Sequence, residues 1–208
     1  MMAPITARTA PLALLAVVLA AGAVAIVTDR WLQPTRDAVR GESVRAMLSG
    51  VPMPSYDNDP VDSSMSVMRR EGAIYIEQVY RARRGGEPVG AWMVVRVQGY
   101  SSELRLLIGV RGSGAVTGVH VLSQHETSGY GDRIAGRDAR WLDVFEGRSL
   151  GDPLRRLWNV SSEGGTFDAV SGATITSRSM VHAVRDALAW YVTNMAAVSQ
   201  PVPAAPAQ

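Results

Sequence analysis

The sequence predicts an α+β domain in which antiparallel β-hairpins pack against helices, and three observations lead to this prediction. Two pairs of β-rich segments are each joined by a short glycine-containing turn, which is typical of hairpins. A long amphipathic segment follows them near the C-terminus. The chain has 208 residues, of which 47% are hydrophobic. That is enough for one sizeable core and too short for two large domains.

The N-terminal part contains an uncharged apolar stretch between Arg8 and Asp29. A bilayer span needs about 20 apolar residues, whereas the core of a signal peptide has about 7–15. We therefore predict a short leading segment at 1–9 and a transmembrane helix at 10–28. A cleaved signal peptide is the alternative, because small residues recur with the spacing that signal peptidase prefers at 21–25.

The charges beside this stretch leave its orientation open. Arginines follow it at Arg30, Arg36, Arg40 and Arg45, and one precedes it at Arg8. A positive-inside count would keep the following domain in the cytoplasm, but long domains cross membranes largely regardless of flanking charge.

Residues 29–66 are predicted to be a helix and a linker. Arg36–Leu48 has the apolar spacing of a short amphipathic helix, and the Pro-, Asp- and Ser-rich stretch Val51–Ser66 is typical of a loop. The strands are predicted at Ala73–Tyr80, Val89–Val97, Glu103–Val110 and Val116–Leu122. Turns at 83–86 and 111–115 join them in pairs. The arginines at 81, 83 and 84 are interpreted as solvated turn residues.

Two helices complete the predicted domain, which spans 67–196. Asp138–Phe145 carries apolar residues at helical spacing, and Ser177 to about Met195 forms a longer amphipathic helix. The apolar stripe of the longer helix consists of Met180, Val181, Val184, Leu188 and Tyr191. Residues 197–208 are rich in Pro and Ala and are predicted to be a disordered tail.

Composition excludes several kinds of chemistry. There is no cysteine, which removes disulfides, thiolate nucleophiles and Cys-ligated metal centres. All 21 basic residues are arginine, so Schiff-base chemistry is absent. Three scattered histidines do not suggest a metal site, and a net charge of +2 without a dense basic stripe disfavours nucleic-acid binding.

Two segments contain candidate functional residues. Asp168–Ser177 precedes the long helix, where hydroxyl side chains suit N-caps and the helix start suits a phosphate. Both interpretations, a well-capped helix and a phosphate site, stay open at this point. In His125–Asp132, the alternating Gly129 and Gly131 permit close approach of a flat ligand, although this segment taken alone favours an ordinary glycine-rich strand exit.

The motif Asp168-x-x-Ser171-Gly172-Ala173-Thr174, followed by Thr176, resembles the covalent flavin-attachment motif of the FMN-binding domain family. Further features align in order from about residue 10 to 190. They are Gly99-Tyr100, Leu107–Val110, Thr117–Val119, Leu122–Thr127, Gly129, Gly131-Asp132, Trp141 and Phe145. The family includes G subunits of Rnf (Rsx) electron-transport complexes and C subunits of sodium-pumping NADH:quinone reductases. The short length and the His125-Glu126-Thr127 context are more similar to the G subunits.

The resemblance implies a site with covalent FMN. It makes Thr174 the phosphoryl-threonine attachment point and Asp168 part of the sequence that a flavin transferase recognises. The other cofactor-binding residues it implies are Ser171, Gly172, Ala173, Thr176, Glu126, Thr127, Gly129 and Gly131. No catalytic residue and no metal ligand is expected.

The function implied by the resemblance is electron transfer by a membrane-anchored flavoprotein subunit. Its partners would be the other subunits of a complex that links ferredoxin/NAD electron transfer to ion translocation, with the transferase acting during maturation. The expected location is the bacterial inner membrane, with a single span and a periplasmic domain. The alternatives are the FMN subunit of a sodium-pumping quinone reductase, a cofactor-free tethered module and a flavin enzyme acting alone.

Overall fold

The computed structural model describes residues 38–128, 134 and 140–200. The predicted transmembrane helix at 10–28, Gly129 and Gly131, and the tail from residue 201 lie outside this range. Among the helices in the described residues, none is both long and apolar enough to span a bilayer. Helix α1 covers residues 38–48, close to its predicted bounds. The compact unit that contains the sheet and the site begins at Arg45.

A single five-stranded antiparallel sheet forms the centre of the domain. Its strands are β1 (Ser64–Glu71), β2 (Ile74–Arg84), β3 (Glu87–Gln98), β4 (Glu103–Arg111) and β5 (Val116–Ser123). The order in the sheet is the order in the chain, so every strand pairs with its sequence neighbour. This confirms the predicted α+β class with antiparallel hairpins.

Strand β1 was not predicted, and its first residues fall in the expected loop ending at Ser66. It lies at the sheet edge and is mostly half-buried or exposed. Its pairing with β2 shifts register between Ser66 and Arg69, and Met68 within the shift has a positive φ of 49°. A bulge of this kind breaks the alternation by which strands are identified in a sequence.

The turn between β2 and β3 has the expected glycine geometry. Of the three arginines before it, Arg84 is exposed as predicted, whereas Arg81 and Arg83 are not solvated. Gly85 and Gly86 have φ values of 58° and 85°, as a two-residue hairpin turn requires. Arg81 and Arg83 are buried. The Arg81 Nη1 donates to the Gln200 carbonyl at 2.9 Å, and Arg83 Nη2 donates to the Ser199 carbonyl at 2.7 Å.

Arg81 and Arg83 therefore bind the C-terminal end of the domain through hydrogen bonds. The carbonyls they bond belong to the last residue and the C-cap of a short helix, α3 (Met195–Ser199), and cations suit the free carbonyls at a helix C-terminus. Burial and the nearby Arg83 lower the pKa of Arg81. Residues up to Gln200 are thus held in place, whereas the sequence predicts a disordered tail from residue 197.

Helix α2 (Thr174–Thr193) packs on one face of the sheet and contacts β1 to β4. It begins three residues before its predicted start, and its predicted apolar stripe is buried. The opposite face is covered by the segment after α1, where the Val51 carbonyl accepts a hydrogen bond from Trp92 Nε1 at 2.9 Å. Strands β3 and β4 are consequently buried on both faces.

Residues 140–167, which precede α2, are held by an aromatic cluster. The predicted helix at Asp138–Phe145 is a 3₁₀ helix over Arg140–Phe145, and shorter 3₁₀ turns occupy Arg155–Leu157 and Ser161–Glu163. The cluster consists of Trp141, Phe145, Trp158 and Phe167, with ring centroids 4.9–6.3 Å apart in the contacting pairs. This packing fixes the chain directly before the start of α2.

Candidate functional site

A cavity of about 450 Å³ lies at the N-terminal end of α2, within the size range of small-molecule sites. It is lined by Tyr100, Glu126, Thr127, Gly172, Ala173, Thr174, Ile175 and Thr176. The two segments that the sequence singles out therefore meet here, although Glu126 and Thr176 are 50 residues apart. That these residues bind a cofactor stays a prediction.

The start of α2 is open rather than capped by a side chain. Gly172 turns the chain with a φ of 80°, and the N-cap residue is Ala173, which has no side-chain cap. The predicted Ser/Thr N-cap is therefore wrong, and the hydroxyl of Ser177, inside the helix, accepts a hydrogen bond from the Val170 amide at 3.1 Å. The amides of the first helical turn lack intrahelical partners, and such amides favour a bound anion.

The two threonines of the first turn differ in accessibility. Thr176 is buried, and its Oγ1 donates a hydrogen bond to Glu126 Oε2 at 2.8 Å. Thr174 is exposed, and its hydroxyl has no hydrogen-bond partner within the described part of the chain. Of these two hydroxyls, only that of Thr174 is accessible for covalent modification.

Glu126 joins three segments of the site through its carboxylate. Its Oε1 accepts hydrogen bonds from the amides of Ser101 at 3.2 Å and Ser102 at 2.9 Å, and from the Ser102 hydroxyl at 3.0 Å. Its Oε2 accepts the bond from Thr176. Burial alone would raise the pKa of Glu126, but the hydrogen bonds from Thr176, Ser102 and Ser101 outweigh it and lower the pKa. We call these four bonds the Glu126 clasp.

The turn after β3 completes the cavity, and sequence reasoning missed it as part of the site. The Gly99 amide donates to the Ser102 carbonyl at 2.8 Å. A Cβ at Gly99 would lie 2.5 Å from Glu126 Oε1, so only glycine admits the carboxylate here. The sequence does contain a signal for this turn, because Gly99-Tyr100 is one of the features that align with the family. The resemblance assigns no function to this pair.

The other predicted site residues either do not line the cavity or are outside the described residues. Ser171 and Asp168 are exposed beside the cavity without lining it. The Asp168 carbonyl accepts a hydrogen bond from Trp141 Nε1 at 2.6 Å, so the backbone of the motif is fixed while the carboxylate is accessible. Gly129 and Gly131 are outside the described residues. Among those that are described, no group of three potential metal ligands is close enough to hold an ion.

An open helix start, an accessible hydroxyl and a small-molecule cavity define a domain that can hold an anionic ligand at α2. Residues 99–189 match the family model described as the FMN-binding domain. This stretch contains every residue that lines the cavity.

Whole-chain relatives extend this match. The chain is 37% identical over 187 residues to the G subunit of the ion-translocating oxidoreductase complex of Pseudomonas aeruginosa, covering 88% of this chain and 87% of the relative. The G subunit of Cereibacter sphaeroides is 36% identical over 88% and 86% of the two chains. That of Haemophilus influenzae is 32% identical over 91% and 89%. The chain belongs to the family of G subunits of ion-translocating oxidoreductase complexes, which confirms the resemblance found in its sequence.

Proposed function

We propose that the protein is a flavoprotein subunit that carries FMN on Thr174 and relays electrons within an Rnf-type ion-translocating oxidoreductase complex. The observation that carries this proposal is the exposed Thr174 hydroxyl at the open start of α2, inside the stretch that matches the FMN-binding domain. The names of the relatives supply the kind of complex.

The residues present fit an FMN phosphate. An ester between Thr174 Oγ1 and the phosphate leaves one negative charge beside the first-turn amides of α2. The positive end of a helix stabilises an exposed anion by roughly 0.3–1 kcal/mol. Thr176 does not fit the same role, because its hydroxyl is buried and bonded to Glu126.

The bound flavin would supply the chemistry of electron uptake and release. The chain would supply position: Thr174 prevents dissociation, and Tyr100, Glu126 and Thr127 wall the cavity beside it. None of the three histidines lines this cavity, which agrees with a carrier that needs no acid or base of its own.

Maturation and assembly follow from the same proposal. A separate flavin transferase would use FAD, forming the bond from Thr174 oxygen to phosphorus as the bond between the two FAD phosphates breaks and AMP leaves. The exposed Asp168 side chain is available for recognition by that enzyme. The electron path would then run between ferredoxin and NAD through the other subunits of the complex.

The test of this function uses membranes from the native host lacking its own gene for this protein. Reintroducing the wild-type chain should restore electron transfer between reduced ferredoxin and NAD⁺ together with an ion gradient. The purified protein should weigh one FMN, less one water, more than its polypeptide. Membranes that regain neither activity, with the protein at polypeptide mass, would contradict the proposal.

We also propose that a single span at 10–28 anchors the protein in the inner membrane with the domain in the periplasm. An alkaline phosphatase fusion after Gln208 is then expected to be active, because that enzyme needs the oxidising periplasm to form its disulfides. A green fluorescent protein fusion at the same position should stay dark. A bright fluorescent fusion with inactive phosphatase would place the domain in the cytoplasm.

A further inference from the structure

Tyr100 is unusually exposed for a large aromatic side chain beside a cavity. It lies at the cavity wall with 67% of its surface accessible. Ile175, the neighbour of Thr174 in the chain, lines the same cavity and is 42% exposed. Apolar surface at the rim of a small-molecule site is favourable to bury under a ligand. The pair therefore offers an aromatic and an aliphatic face to a flat apolar ring.

The backbone that carries Tyr100 is held firmly relative to the start of α2. The turn is closed by the Gly99 amide, which donates to the Ser102 carbonyl at 2.8 Å. The amides of Ser101 and Ser102, which follow Tyr100, donate to Glu126 Oε1. Through the Glu126 clasp, the same carboxylate accepts the bond from Thr176 on α2. Tyr100 and Thr174 are thus fixed at two sides of one cavity.

We propose that Tyr100 is the aromatic side chain that packs against the isoalloxazine ring of the FMN held on Thr174. This inference rests on the proposed function and adds to it the residue that positions the ring. Aromatic rings in proteins favour offset-stacked or edge-to-face contact. The exposure of Tyr100 is explained if the ring it covers is supplied by the cofactor. The Glu126 clasp then determines where that contact forms.

The test measures the fluorescence of the flavin-loaded, folded protein. A tyrosine in contact with a flavin quenches its emission, because the phenol can donate an electron to the excited ring. Phenylalanine keeps the packing but is much harder to oxidise. Tyr100→Phe is expected to raise the emission yield several-fold over wild type, and unfolding should abolish the difference. Tyr56→Phe is the matched control, since Tyr56 packs edge-on against Trp92 away from the cavity and should leave the yield unchanged.

A second variant separates packing from quenching. Tyr100→Ala removes the cover from the ring, so collisional quenching of the flavin by iodide should rise several-fold in this variant and stay near the wild-type value in Tyr100→Phe. FMN at full occupancy with equal emission from wild type and Tyr100→Phe would overturn the role of Tyr100 alone. Wild-type protein at bare polypeptide mass would overturn the proposed function itself.

Discussion

Replacing Thr174 by alanine is expected to abolish covalent FMN while leaving the fold nearly unchanged. The side chain is exposed and makes no hydrogen bond within the described residues, so its loss should alter the free energy of unfolding by no more than about 0.5 kcal/mol. The measurements are flavin fluorescence in a denaturing gel, the intact mass, and the melting temperature of the variant. Flavin fluorescence that survives in Thr174→Ala would show that another residue carries the cofactor.

Thr176 provides the control, because it is the nearest competing threonine. Thr176→Ala should retain the flavin, since the hydroxyl of Thr176 is hydrogen-bonded to Glu126 and is not the attachment point. It should nevertheless lower the free energy of unfolding by about 1–3 kcal/mol, because the Glu126 carboxylate loses a buried donor. The two variants are therefore expected to show opposite patterns, one losing FMN and the other losing stability.

The parts of the fold that the sequence predicted are those in which apolar residues form a clear run or a helical stripe between turn signals. Strands β2 to β5 contain such runs and α2 carries such a stripe, while Gly85 and Gly86 mark the turn between β2 and β3. Strand β1 is an edge strand with a bulge, so its pattern is interrupted. Arg81 and Arg83 lie beside a turn signal in the sequence. In the structure they are buried, and they donate hydrogen bonds to carbonyls more than a hundred residues away in the chain.

The residues of the site could also be predicted only in part. The family resemblance implies Thr174, Glu126 and Thr127 as site residues, and all three line one cavity in the structure. The resemblance does not say which hydrogen-bond partner each side chain has. The Glu126 clasp and the exposure of Tyr100 depend on how the turn after β3 meets α2. Ala173 is the N-cap of α2, and the Ser177 hydroxyl inside the helix accepts a hydrogen bond from the Val170 amide.

Glu126→Ala removes the Glu126 clasp and is expected to lower the stability of the domain and to change the shape of the cavity. Four donors on three residues, Ser101, Ser102 and Thr176, would lose a charged acceptor. Hydrogen bonds to charged groups contribute about 1.5–3 kcal/mol, and each kcal/mol shifts the melting temperature of a domain of this size by roughly 2–4 °C. Water can replace part of the lost acceptor, because Glu126 is only half-buried. We therefore take the net loss as that of one such bond and expect the melting temperature to fall by about 3–12 °C by calorimetry at about pH 7, with incomplete FMN attachment.

Glu126→Gln separates the hydrogen bonds from the charge. The amide oxygen can still accept the Ser102 bonds and the amide nitrogen can face the Thr176 hydroxyl, so the melting temperature should fall less than in Glu126→Ala. Loss of a negative charge from the cavity wall should raise the reduction potential of the flavin. Glu103→Gln is the matched control, because Glu103 is an exposed carboxylate that pairs with Arg96 on the sheet, and such pairs contribute little.

The pH dependence of stability gives the sharpest check on the clasp. Because the folded protein lowers the pKa of Glu126 below its ordinary value of 4.5, the unfolded chain binds the proton more readily. Glu126 therefore stabilises the fold fully above that ordinary value, and its contribution is lost as pH falls through the lower pKa of the folded state. The difference in unfolding free energy between wild type and Glu126→Gln should accordingly be largest at neutral pH and shrink on acidification. A difference that stays constant from about pH 7 to about pH 3 would mean that the Glu126 carboxylate is not held in its charged form by Ser101, Ser102 and Thr176.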